Sequence, residues 1–134
     1  CTAWCRLTAK AFRPVAKELR NRATVLVMRN GKVLLVRGSS GRFREFAMPG
    51  GGIEEEEFPI VAAASELHEE TGLRANRIEY MLTSKSSIHN HVVFSIEADG
   101  DVVPGPEIGE YLWWDRKVEV PTFSHVNGIP GQLQ

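Results

Sequence analysis

Apolar positions along this chain fall in short alternating or continuous runs, and the runs predict strands more often than helices. ATVLVM (23–28) and KVLLVR (32–37) are rich in β-branched residues, which suit the pleated, half-buried surface of a strand. Asn30-Gly31 between them is a two-residue hairpin signal, because both residues tolerate positive φ. The loop GSSGRFRE (38–45) leads to a short strand at 46–48, and PGGG (49–52) reads as a glycine-rich loop. A helix is predicted over about 59–71. Ile60, Ala63, Ala64 and Leu67 supply its buried arc, and Gly72 takes the position just past its C-terminus. Further strands are expected at 78–83, 91–97 and 111–114, with Asp99-Gly100 as a turn.

Residues 8–20 read as a short helix or an extended arm, with Pro14 against a long helix. Beyond Pro121, the residues Gly128, Pro130 and Gly131 predict little regular structure. No repeat or linker interrupts the chain. One domain over 1–134 is therefore expected, with an N-terminal arm at 1–21 and an irregular tail at 117–134. One mixed sheet with one strong helix makes an α+β fold, layered as an αβα sandwich.

Composition narrows the function classes. Apolar content of 43% and charged content of 25% are those of a soluble globular protein. No apolar run approaches the ~20 residues of a membrane span, and CTAWCRLTAK has no apolar core of a signal peptide. A cytoplasmic protein without a membrane or nucleic-acid partner is expected. Cys1 and Cys5, with no further cysteine, read as two thiols in a reducing compartment rather than a metal pair.

The net charge of −1 hides an asymmetry. Eleven Lys/Arg stand against two acids up to Gly50, whereas 54–70 holds seven glutamates and no Lys or Arg. Such a run is ordinarily a solvated face. On the predicted helix, however, Glu66, Glu69 and Glu70 stack within one arc at spacings of three and four residues. They repel one another, and nothing on the helix pairs with them. Carboxylates so placed suit a hard divalent cation.

The wider spacing is more specific. Gly51, five residues, Glu57, seven residues, then Ser65-Glu66-Leu67-His68-Glu69-Glu70-Thr71-Gly72-Leu73 closely resembles the Nudix box, matching eight of its nine fixed positions. The hairpin before it, the Met48-Pro49-Gly50-Gly51 lead-in and the strand ending in Trp113-Trp114 extend the resemblance over roughly 22–116. It implies a MutT-like αβα fold and Mg²⁺-dependent (or Mn²⁺-dependent) hydrolysis of a diphosphate bond in a nucleotide-type substrate. By position, Glu66, Glu69 and Glu70 become metal ligands, with the Gly50 carbonyl and Glu57 as further ones. The catalytic base becomes Glu66 or a later-loop acid, with Glu107 ranked above Glu110.

The ninth box position is Ser65 where the family has Arg. A hydroxyl supplies neither charge nor a forked donor for orienting glutamates. The resemblance therefore implies a slowed enzyme, and Ser65→Arg is expected to raise activity. Glu57 loses its usual partner, which leaves it to bind the metal directly or to pair with a base from elsewhere such as Lys85.

Subgroup markers are absent from SIHNH (87–91), so a generic nucleoside di- or triphosphate, or another nucleoside diphosphate derivative, is reached by elimination. Arg37, Arg42 and Arg44 are candidates for gripping phosphates. His89 and His91, on one side of their strand, are candidates for phosphate or base. Phe43, Phe46 or Trp113 is suited to base stacking, and Asn127 to base reading. The arm and the tryptophan strand offer apolar surface for a homodimer. Two other readings follow from the same residues: a nucleotide-binding or regulatory domain with impaired chemistry, and a prenyl-diphosphate isomerase, for which no supporting residue is visible.

Overall fold

The computed structural model describes residues 20–86, 88–123 and 126. In chain order the elements are β1 (Arg20–Leu26), β2 (Met28–Arg29), β3 (Lys32–Gly38), β4 (Gly50–Gly52), α1 (Pro59–Thr71), β5 (Arg74–Lys85), β6 (His89–Asp99) and β7 (Ile108–Trp114). Cys1, Cys5, Asn127 and nearly all of the expected arm lie outside the described residues. Arg20 and Asn21, read as the end of that arm, begin β1.

Among the described residues the expected mixed sheet is joined by a second sheet, and with the helix they make the expected α+β fold. The mixed sheet has the order β4-β1-β6-β5, in which β1 runs parallel to β6 and the other pairs are antiparallel. The second, antiparallel sheet has the order β2-β3-β7. Asn30 and Gly31 turn β2 into β3 with φ of 55° and 78°, the positive pair that a two-residue hairpin needs.

Alternation along the first hairpin divides the core. Ala23, Val25 and Val27 pack with Leu34 against Ala62, Ala63 and Leu67 of α1. Leu26, Val33 and Leu35 pack on the other side with Met48, Trp114 and Val126. Val126 is helical and fully buried, where the sequence reading expects an irregular tail.

Two local expectations change. Residues 46–48 form isolated bridges, Val36 with Ala47 and Phe46 with Thr122, rather than a strand. The expected loop at 50–52 is a strand, β4, that pairs with β1 through Thr24–Gly50, Ala23–Gly51 and Arg22–Gly52. Helix α1 keeps its expected bounds, and Gly72 caps it in the left-handed conformation with φ of 72°. Phe58 occupies the N-cap position without a side-chain cap. Among the described residues, no helix is long and apolar enough to cross a membrane.

Candidate functional site

Rows of residues four apart on α1 decide which glutamates turn inward. Ala63, Leu67 and Thr71 form the buried row. The adjoining row, Ala62, Glu66 and Glu70, sets its two carboxylates at the rim of the buried face, half-buried. Outward again, Val61, Ser65 and Glu69 are exposed. Ile60, expected in the core, is 45% exposed because the buried stripe runs through Ala62 and Ala63 instead.

Strand β4 meets that rim with glycine alone. The Gly50 amide donates to Glu70 Oε1 at 3.1 Å. A Cβ at Gly51 would lie 2.6 Å from Glu66 Oε1, so only the missing side chain lets the strand touch this carboxylate. A Cβ at Gly50 would run into the Ala23 carbonyl oxygen, which belongs to the backbone.

On the next strand in the sheet stands Arg22, which the sequence reading passes over. Its Nη2 donates to the Met48 carbonyl at 2.9 Å and its Nη1 to Thr24 Oγ1 at 3.4 Å. Burial lowers its pKa from the ordinary guanidinium value, opposed by the charges of Glu70 and Glu66. The carboxylates feel the same surroundings with opposite sign. Burial pushes Glu70 up to about 7; the Gly50 amide and Arg22 oppose this, while Glu66 and Glu107 add to it. Glu66 is raised first by burial and then by Glu69, with Arg22 opposing.

A cleft of about 190 Å³ opens beside Glu70, lined also by Arg22, Ser40, Phe43, Glu45, Glu107 and Phe123. The loop carrying Glu107 is fixed to the end of α1. Val103 N–H donates to Thr71 O at 2.8 Å and Gly105 N–H to Glu70 O at 3.0 Å, while the Glu107 carbonyl accepts from Ser39 N–H at 2.9 Å. Glu70 and Glu107 therefore line one cavity, although 37 positions separate them. A larger cavity of about 550 Å³ beside Trp114 and Arg116–Thr122 has no helix carboxylate in its lining.

Of the other candidates, Glu57 and Glu69 lie close enough to raise Glu66, while the arginines are paired, stacked or exposed. Glu57 Oε1 accepts the Glu54 amide at 3.0 Å and so braces the turn before α1. Glu69 is exposed. Arg37 pairs with Glu110, lies 4.7 Å over the Phe46 ring and donates to the Arg44 carbonyl, and Arg44 itself is exposed. Glu110, the lower-ranked base, is thus occupied by Arg37. Arg42 stacks 5.2 Å over the exposed Phe43, whose ring meets Phe123 edge-on at 5.5 Å.

His89 and His91 do share a side of β6, with ring centroids 5.6 Å apart. His91 is only 2% exposed, with Nδ1 2.8 Å from Thr24 Oγ1 and Nε2 3.3 Å from Ser86 Oγ. Burial, then Arg22 and His89, lower its pKa from 6.5 to about 4. His89 is lowered too, first by burial and then by Arg22 and Arg20. The unfolded chain then binds a proton at His91 that the folded chain refuses, so stability falls as pH drops from 6.5 toward 4. Urea midpoints of wild type and His91→Gln should diverge in their pH dependence across that window, with wild type losing more. A constant gap between the two would contradict this placement.

Among the described residues, no three His, Cys, Asp or Glu side chains converge into a ready ligand set. By donor type the rim nevertheless fits a hard divalent cation. It offers Glu66 and Glu70 as carboxylates raised chiefly by desolvation and further by neighbouring acids, with glycine backbone against them. Mg²⁺ in particular needs only one or two protein carboxylates, with water and substrate oxygens completing its shell.

Comparison with known proteins agrees with this architecture. The family model described as NUDIX domain matches residues 18–124. A structure from Chromobacterium violaceum, described as a nudix hydrolase family member, superimposes with a TM-score of 0.77 at 24% identity, covering 89% of this chain and 79% of that one. A MutT NUDIX hydrolase from Burkholderia pseudomallei gives 0.75 at 16% identity, covering 88% of this chain and 100% of that one. A UDP-X diphosphatase gives 0.64 at 22% identity, covering 90% of this chain and 63% of that one. No curated protein matches the sequence significantly.

Proposed function

We propose, on the premise that this chain belongs to the Nudix family, that it hydrolyses a diphosphate bond using Mg²⁺, with Mn²⁺ as a substitute. The substrate class is a nucleoside di- or triphosphate, or a nucleoside diphosphate linked to a further group. The observation that carries this reading is the meeting of Glu70 and Glu107 in one cleft, with Glu66, held against Gly51, close enough to raise Glu70.

Glu66 and Glu70 would hold the cation, with the Gly50 carbonyl, Glu69 and Glu57 as further ligands. When bound, a divalent cation neutralises diphosphate oxygens and acidifies an attacking water. The Gly50 amide fixes one oxygen of Glu70 and leaves the other for this task. Glu107, exposed on a loop tied to α1, accepts the proton of the water as its oxygen bonds to phosphorus and the bridging P–O bond breaks. The loop anchoring matters because a proton acceptor must be held at a fixed distance from the attacked phosphorus.

A panel of nucleoside polyphosphates and sugar nucleotides tests this directly. Release of phosphate or nucleoside monophosphate is expected with Mg²⁺ and is lost in excess chelator. Turnover of no member with either metal would sink the reading. A second reading, a nucleotide-binding domain with impaired chemistry, draws on Ser65 and on the engagement of Glu57 with Glu54. Under it, panel members would bind without being cleaved.

A further inference from the structure

Resting on that reading, we infer that Arg22 is a substrate-binding residue that grips a non-bridging oxygen of the diphosphate. It is the one basic side chain among the described residues lining the cleft beside Glu70, where Glu45 and Glu107 supply further negative charge. A diphosphate entering this cleft needs a cationic partner from the protein. The arginines nearest the glycine strand in sequence are placed otherwise. Arg37 is committed to Glu110 and Phe46, and Arg44 is exposed outside the cleft lining.

The mounting of Arg22 suits the role. A guanidinium carries five N–H groups in one plane. Two are held by the Met48 carbonyl and Thr24 Oγ1, which sets the plane without filling it and leaves three for a ligand. Thr24 is in turn held by His91, so the support continues into the buried sheet. A fork prepared in this way loses little freedom on binding, and its geometry matches two phosphate oxygens. Its charge is balanced by Glu66 and Glu70 while the cleft is empty of substrate. Once those carboxylates are taken up by a cation, Arg22 is left as the positive group facing the diphosphate.

The residue escapes a reading by sequence motif because it lies outside the Nudix box, at the start of a strand. Its parity supplies the signal: Arg22 shares a face of β1 with Thr24 and Leu26, opposite Ala23 and Val25.

The test compares wild type with Arg22→Met and Arg22→Lys. The measurements are kcat and KM on the best substrate of the panel, and calorimetric affinity for α,β-methylene-ADP in Mg²⁺ and for adenosine alone. Loss of a charge-assisted hydrogen bond is expected to raise KM and the analogue Kd of Arg22→Met roughly 10- to 100-fold. Arg22→Lys should recover part of that loss, since it restores the charge without the fork. Adenosine binding to the free protein should remain as in wild type.

Analogue affinity unchanged in a folded Arg22→Met overturns the inference, as does an equal loss for adenosine. If Arg22→Met fails to fold because Met48 loses its donor, Arg22→Lys decides by the same analogue measurement. Failure of both to fold makes Arg22 a structural cation and also overturns it. Turnover by wild type with Arg22 variants unaffected defeats this inference alone. Absence of wild-type turnover defeats the reading beneath it, while analogue binding still reports on Arg22.

Discussion

Replacing Glu70 by Gln is expected to reduce turnover about 10³-fold, on the scale of losing a reacting carboxylate, while leaving the fold intact. The amide keeps the shape of the side chain, and its oxygen can still accept the Gly50 N–H that Glu70 now accepts. What disappears is a charge that burial already disfavours and that Glu66 and Glu107 oppose. In chelator the variant should therefore melt at or above the wild-type temperature. Its gain from added Mg²⁺ should be smaller than that of wild type, since a ligand of the folded state stabilises it by mass action. A variant with normal turnover would remove Glu70 from the reaction. A poorly folded variant would instead make the carboxylate structural.

The second large effect separates two neighbouring glycines. Gly50→Ala places a methyl group on the Ala23 carbonyl oxygen, and both groups belong to paired backbone. Neither can move without opening the β1–β4 ladder, so the expected cost is about 3 kcal/mol. In a chain of this length that corresponds to a fall in Tm of roughly 10 °C. Gly51→Ala instead meets the carboxylate of Glu66, the free end of a flexible side chain. It should swing aside at little cost in stability. Displaced, it would no longer hold the cation as placed, and misplacement of this order costs about 10²-fold in rate. Thermal melts and kcat/KM on the two variants check the split. Equal effects of both substitutions on stability would contradict the packing described for β4.

The helix and the first hairpin were legible because their signals are local. Period, Pro59 at the first turn and the C-cap bound α1, with Gly72 where a left-handed residue is needed, and Asn30-Gly31 carries the positive φ of its turn. Strand β4 was hidden because three glycines carry no side-chain alternation, and it exists only through pairing with β1. The division into two sheets was hidden for a similar reason. β3 pairs with β7, across the 69 residues of chain between them, so nothing local announces it.

The candidate site divides along the same line. Glu66 and Glu70 could be placed on one helix face from their spacing, and Glu107 by the resemblance. The occupation of Arg37 by Glu110 and the deep burial of His91 required knowledge of which strands are neighbours. Arg22 needed both its neighbours and the earlier start of β1. Its presence also alters the expectation for Ser65. With a cation already facing Glu66 and Glu70, Ser65→Arg adds a second one on the exposed row beside Glu69, and a large gain in activity is no longer expected.

Cleavage of a diphosphate bond in this cleft by water and a divalent cation can be followed by ³¹P NMR of the nucleotide panel in ¹⁸O-enriched water, with Mg²⁺ and with chelator. A diphosphate resonance is expected to be replaced by phosphomonoester or phosphate signals carrying the ¹⁸O isotope shift, only when Mg²⁺ is present. Diphosphate resonances that broaden on binding yet stay intact under every metal condition would contradict it, and would leave a domain that holds nucleotides without cleaving them.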